Sequence, residues 1–242
     1  MSERGVAEIC RDADGVPKLT QGAVFSRSQS DDDLRRTDRS PSRESAIERE
    51  CSVDDVDVAR MEEYALLSAL LMRPPDAALL RDISAIRADS TELGRAHAKL
   101  AQAAETTNPE HLEREYFNLF IGLGRGELLP YGSYYLTGFL HERPLARLRG
   151  DLAEIGIVRA EQHYEPEDHI AILCEIMAGL AGGRFVAPQG SERRIFERHL
   201  ALWARRFFAD LEAAPGAQFY RHVGRVGCLF MDIETEAFAL QD

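Results

Sequence analysis

Past residue 53, apolar positions recur every three or four residues almost to the end of the chain, and such spacing predicts helices. Val56, Met61, Tyr64, Leu67, Leu70 and Leu71 mark the first, which Pro74-Pro75 stop. Asp76 reads as the cap of a second, carrying Leu79, Leu80, Ile83 and Ile86. The alanine-rich run from Thr91 to Ala104 gives a third. Asn108 as cap and Pro109 at the first helical position open a fourth, which runs through Phe120 and ends at the glycines 122, 124 and 126. Further helices are expected over Tyr134–Leu140, from Pro144 to Ile155, from Pro166 to about Ala181, over Ser191–Leu211 and over about Ala217–Phe238. No convincing alternating strand is present. The pattern therefore predicts an all-α domain over 53–242, with helices packed around one core.

Residues 1–52 read differently. Ser26 to Arg49 is dense in Ser, Asp and Arg and poor in large apolar residues, so it lacks the surface to offset its ordering entropy. Two readings stand: a disordered extension, or sequence upstream of a later true start. Met1–Arg11 contains acids and no apolar run, unlike a secretory signal. Arg35-Arg36 is followed by Thr37-Asp38-Arg39-Ser40-Pro41 rather than an apolar stretch, so this pair does not read as an export leader.

Charge and cysteine content narrow the function classes. The 242 residues carry a formal net charge of −12, which excludes a general nucleic-acid binder and suits a basic partner. The four cysteines, Cys10, Cys51, Cys174 and Cys228, are scattered without paired spacing, so neither a disulfide framework nor a zinc site is expected. No segment reaches the roughly 18–20 apolar residues of a membrane span. A cytoplasmic protein with no metal and no cofactor is the expectation.

Candidate chemistry concentrates in three places. Gly122-Leu123-Gly124-Arg125-Gly126 lacks the preceding strand of a phosphate cradle and reads as a helix exit. Tyr116, Phe117, Phe120, Tyr131, Tyr134, Tyr135 and Phe139 fall within one short block, read either as core or as a recognition surface. Glu165-Pro166-Glu167-Asp168-His169 precedes the apolar run Ile170–Met177. There the proline reads as the first helical residue, with two acids in the first turn. These acids form either a helix start or an acidic lip for a basic ligand, and Asp168 and Glu175, seven apart, are expected on one helix face. An aromatic groove flanked by acids suits a peptide that combines arginines with an apolar stretch. No nucleophile is tied to the acids, so an enzyme is not expected.

Glu115-Tyr116-Phe117-Asn118-Leu119-Phe120-Ile121-Gly122, Leu129-Pro130-Tyr131-Gly132-Ser133-Tyr134-Tyr135 and Glu165–His169, in that order and separation, resemble the TorD/DmsD/NarJ family over roughly 58–240. These are all-helical cytoplasmic chaperones that mature molybdenum-containing oxidoreductases. The resemblance implies recognition of the client's twin-arginine leader, and sometimes of its folded body, with export delayed until cofactor insertion. It implies peptide binding by Tyr116, Leu119, Phe120, Pro130, Tyr131, Ser133, Asp168 and His169, with Glu165 and Glu167 as an acidic lip. Asp168 would attract the leader's arginines, and His169 would either tune the lip or hold the junction. Tyr131 stands where some members carry tryptophan, and the sole tryptophan, Trp203, falls in a later helix. The client implied is of dimethyl-sulfoxide-reductase or formate-dehydrogenase type, met by a monomer or by a segment-exchanged dimer with its hinge near 156–166. The alternatives are a guanine-nucleotide-binding accessory module, proposed within this family, and a small hydrolase.

Overall fold

The computed structural model describes residues 54–159 and 164–240, with the backbone of three short strands, β1 (Glu8–Arg11), β2 (Pro17–Thr20) and β3 (Phe25–Arg27). The expected disorder of 1–52 otherwise lies outside the described residues. Among these residues ten α-helices form the domain: α1 (Asp55–Met72), α2 (Ala77–Ser84), α3 (Glu92–Thr106), α4 (Pro109–Tyr116), α5 (Gly132–Thr137), α6 (Arg143–Glu154), α7 (Ile170–Ala181), α8 (Ser191–Ile195), α9 (Ala204–Ala213) and α10 (Tyr220–Ala239). The all-α expectation holds. None of the four strands is expected from the sequence: β1–β3 fall in the segment read as disordered, and β4 (Ile157–Arg159) pairs antiparallel with β3. Three residues are too few to display an alternating pattern.

Local chemistry starts several helices where the sequence places them. Asp76 accepts from Ala78 and Leu79 N–H, Thr91 from Gly94 N–H and Asn108 from His111 N–H, each bond satisfying an amide that lacks an intrahelical partner. The helix expected from Pro166 is a correction. His169, not Glu165 or Pro166, is the cap of α7, and its Nδ1 accepts from Ala171 N–H at 3.1 Å. Pro166 instead opens a tight turn closed by His169 N–H to Pro166 C=O at 3.1 Å. Glu167 and Asp168 therefore precede the helix, and Asp168 shares no helix face with Glu175. The expected helix Ser191–Leu211 is also divided. A π-helical stretch follows α8 over Phe196–Leu200, and α9 starts only after Trp203.

The centre of the domain is α7. All residues from Ile170 to Gly179 are buried, so the helix is apolar on every side except at Glu175, as an interior helix must be. It lies along α1, while α10 lies along α9 and α3. Gly224 permits the α9–α10 approach, since a Cβ there would meet Glu212 N at 2.5 Å. Fully buried Tyr64, Leu67, Leu100, Leu112, Phe207, Phe208 and Tyr220 fill the remaining core. One charged network joins the layers. Arg60 on α1 bonds Glu234 on α10 at 2.7 Å and Glu192 on α8 at 2.5 Å, and the Tyr64 hydroxyl donates to Glu234 at 2.8 Å.

Candidate functional site

The second and third motif segments are hydrogen-bonded to each other, and the first lies near them through Tyr116. After α4 the chain widens into a π-helical turn, Phe117–Ile121, closed by Gly122 N–H to Phe117 C=O at 2.7 Å. The carbonyls of Asn118 and Leu119 accept instead from Glu127 and Leu128 N–H at 3.1 and 2.8 Å. Gly126 lets the returning strand lie this close, because a Cβ there would meet the Phe120 carbonyl carbon at 2.5 Å. The glycine run is thus a helix exit folded back on its own helix. Arg125 leaves this loop and lies 5.1 Å over the Tyr134 ring.

The second and third segments form a latch. Ile170 N–H donates to Pro130 C=O, and Gly132 N–H to Asp168 C=O, both at 2.9 Å. The Asp168 carboxylate accepts from Ser133 N–H at 2.7 Å. Helix α5 has no side-chain cap of its own, so Asp168 caps it from outside, with negative charge at the positive end of the helix dipole. The adjacent pair Asp168-His169 therefore starts two helices, one distant and one its own. Asp168 is 3 % exposed and Ser133 fully buried; Asp168 Oδ1 and Ser133 Oγ are without a hydrogen-bond partner. Burial pushes the His169 imidazole down to about 3, so it is neutral near pH 7 and serves the junction rather than a titrating lip.

Other acids here are also engaged. Glu167 is buried and held by Arg149 at 2.7 Å, with Arg159 at 3.7 Å. Glu165 is half-buried and accepts from the Tyr131 hydroxyl. Burial and the Glu165 charge raise the Tyr131 hydroxyl well above its ordinary range. Burial, with a lesser contribution from Glu165, pushes Tyr116 up to about 12. Tyr116, Tyr131 and Glu165 are thus electrostatic neighbours, and Tyr131 meets the His169 ring edge-on at 5.1 Å.

The aromatic block divides between core and surface. Tyr116 and Leu119 are buried, and Tyr116, Phe120 and Tyr220 form an aromatic triangle with centroids 4.9–5.9 Å apart. Pro130 is buried. Phe117 and Ile121 are 38 % and 54 % exposed, and Leu123 is 99 % exposed. Leu136, Phe139 and Leu140, at and beyond the end of α5, are open as well. These six exposed apolar residues lie in or next to the first two motif segments, and Tyr164, 91 % exposed, precedes the third. Their exposure on a π-turn and a glycine loop is not visible in residue type alone. Trp203, remote in sequence, lies beside the second segment. Its Nε1 is the nearest atom to a Cβ built on Gly132, at 2.9 Å, and its ring lies 5.4 Å from Tyr135.

Among the described residues no cluster of three His, Cys, Asp or Glu could hold a metal ion, and no helix is long and apolar enough to cross a membrane. The family model described as nitrate reductase delta subunit matches residues 86–209, half of the chain, and spans the motifs. "Probable Tat proofreading chaperone DmsD" of Haemophilus influenzae is 30% identical over 129 residues, covering 52% of this chain and 62% of that protein. "Chaperone protein TorD" of Photobacterium profundum is 30% identical over 140 residues, 56% of this chain and 59% of that protein. That of Aliivibrio fischeri is 27% identical over 138 residues, 53% and 64%. The chain spans about three fifths of the length of the curated relatives it matches. With its family model matched over residues 86–209, a span that holds all three motifs, the chain belongs to the nitrate reductase delta subunit family, the TorD/DmsD/NarJ group that those motifs resemble.

Proposed function

We propose that this protein is a cytoplasmic, non-enzymatic chaperone that binds the twin-arginine leader of a molybdenum-containing oxidoreductase, of dimethyl-sulfoxide-reductase or formate-dehydrogenase type. It would also engage the enzyme's unfilled body, assist cofactor insertion and delay export. The observation that carries this reading is the convergence of the three motif segments beside exposed apolar residues, in a chain whose relatives bear the names of a Tat proofreading chaperone and of TorD chaperones.

In this reading the motif residues divide their roles. Tyr116, Leu119, Pro130, Ser133, Asp168 and His169 frame the surface. Phe117, Ile121 and Leu123 receive the leader's apolar stretch, with Phe120 behind them. Glu165, half-buried beside Tyr131, is the carboxylate placed to meet an arginine, because Glu167 already has Arg149. The nucleotide module is not favoured, since the glycine loop folds back on its own helix carbonyls.

Calorimetric titration of the full chain with twin-arginine leaders of the same organism's molybdoenzymes, with Arg-to-Gln controls, tests the reading. Saturable binding to one leader, weakened in its control, is expected. Phe117→Ser with Ile121→Ser should weaken it about tenfold, equivalent to ~1.4 kcal/mol. Absence of binding to every leader would overturn the peptide-surface assignment.

A further inference from the structure

A cleft of about 890 Å³ lies between α3, α4 and the start of α10, and none of the candidate residues above lines it. Lys99, His111, Arg114 and His222 stand on its walls. An adjoining recess of about 340 Å³ shares Lys99 and His222 and adds Arg221 and Arg225. In a chain of net charge −12 this is a concentration of the minority sign. Lys99, Arg114, Arg221 and Arg225 are exposed, and none forms an ion pair with a described residue. Burial, then Arg221 and Lys99, lower the His222 pKa against smaller opposing contributions from Glu115 and Glu212.

Two carboxylates also line the cleft and recess, Glu115 and Glu212. Glu115 is engaged, accepting from the N–H groups of Gln218, Phe219 and Tyr220 at 2.8, 3.2 and 2.8 Å. It therefore caps α10 and occupies the backbone donors that a phosphate group would otherwise use. What remains for a ligand is a set of long cations distributed along α3, α4 and the first two turns of α10; Arg114 and Arg221 donate Nε–H to the Glu110 and Ala217 carbonyls at 3.2 and 3.0 Å, which leaves their terminal NH2 groups for a ligand. Dispersed carboxylates along a polypeptide match that distribution better than one compact phosphate.

We propose that this cleft docks an acidic segment of a partner protein, on a surface separate from the leader-binding junction. Charge complementarity selects the occupant: Lys and Arg side chains without an ion pair to a described residue face a cleft whose nearest amides are already capped. The assignment stands whether or not the leader reading does: the cleft adjoins the first motif segment through Glu115 and Asn118, but none of the side chains assigned to leader binding lines it.

The test is fluorescence anisotropy of a labelled Glu- and Asp-rich peptide with the full-length protein at low salt. Saturable binding is expected, weakened by added salt because the contacts are exposed. The pairs Lys99→Gln with Arg114→Gln, and Arg221→Gln with Arg225→Gln, should each raise Kd about tenfold or more. Circular dichroism and leader titration should be unchanged in both. No saturable binding, or binding indifferent to both pairs, overturns the proposal. Binding of inorganic triphosphate tighter than the peptide would make this a phosphate site instead. Self-association abolished by the same substitutions would make the occupant a second copy. Either result overturns it too.

Discussion

Asp168 and Glu115 perform the same local task in contrasting settings. Each carboxylate caps a helix distant in sequence, Asp168 starting α5 and Glu115 starting α10. Around Asp168 the polar groups are mostly buried and paired: His169 caps α7, Glu167 holds Arg149, and Glu165 receives Tyr131. Around Glu115 the surroundings are open, and Lys99, Arg114, Arg221 and Arg225 form no ion pair with a described residue. Written charge and presented charge therefore differ. Two acids of the motif that looks like a lip in the sequence, Glu167 and Asp168, turn inward as a structural joint and leave Glu165 half-buried at its edge, while a scatter of bases faces outward.

The largest effect that would sharpen this contrast is a pH dependence. The folded pKa of His169 is about 3, against 6.5 when unperturbed. Between those values the unfolded chain binds a proton that the folded chain does not. The stability from this group is complete above pH 6.5 and falls as pH drops toward 3, by up to ~1.4 kcal/mol per unit. His199 and His222 shift in the same direction and add to the fall. Urea unfolding across this window should show the slope. His169→Asn, which keeps a capping acceptor, should flatten it by one group's share, and an unaltered slope would break the joint reading.

Asp168→Ala comes next. It leaves the buried Ser133 N–H without an acceptor and should cost about 1–3 kcal/mol of stability. Asp168→Asn retains an acceptor and should cost less. If both variants keep full stability but lose leader affinity, the carboxylate is a contact and not a cap. The smallest expected effect is at the cleft, where Lys99→Ser with Arg225→Ser should move the unfolding free energy by no more than ~0.5 kcal/mol. A larger loss would mean that these side chains support the fold.

Much of this architecture is legible in the sequence because its determinants are local. Asp76, Thr91 and Asn108 cap helices within three residues of themselves, so each is visible as a pattern. The start of α7 escapes the same logic. Pro166 with two following acids is a good local start, yet the Pro130–Ile170 and Gly132–Asp168 bonds hold that segment in a bridge until His169. Those partners lie more than thirty residues upstream, beyond any local spacing rule. The break after Leu200 is similar in part, since Trp203 packs on Gly132 at the start of α5, far upstream in the chain. Motif order foretold which segments meet in the candidate site. It could not foretell which of their side chains would be buried, and the basic cleft draws on three helices with no shared motif.

Two tyrosine hydroxyls carry one more consequence. Tyr116 and Tyr220 donate to the carbonyls of Leu71 and Leu70 at 3.1 and 3.0 Å, at the end of α1 just before Pro74-Pro75. Sliding α4 outward would bare a buried carbonyl and part the aromatic triangle at the same time. The platform behind the exposed Phe117 and Ile121 is therefore anchored to the first helix before any peptide arrives. A guest would find a surface already set, and most of the ordering entropy of the encounter would fall on the guest rather than on its host.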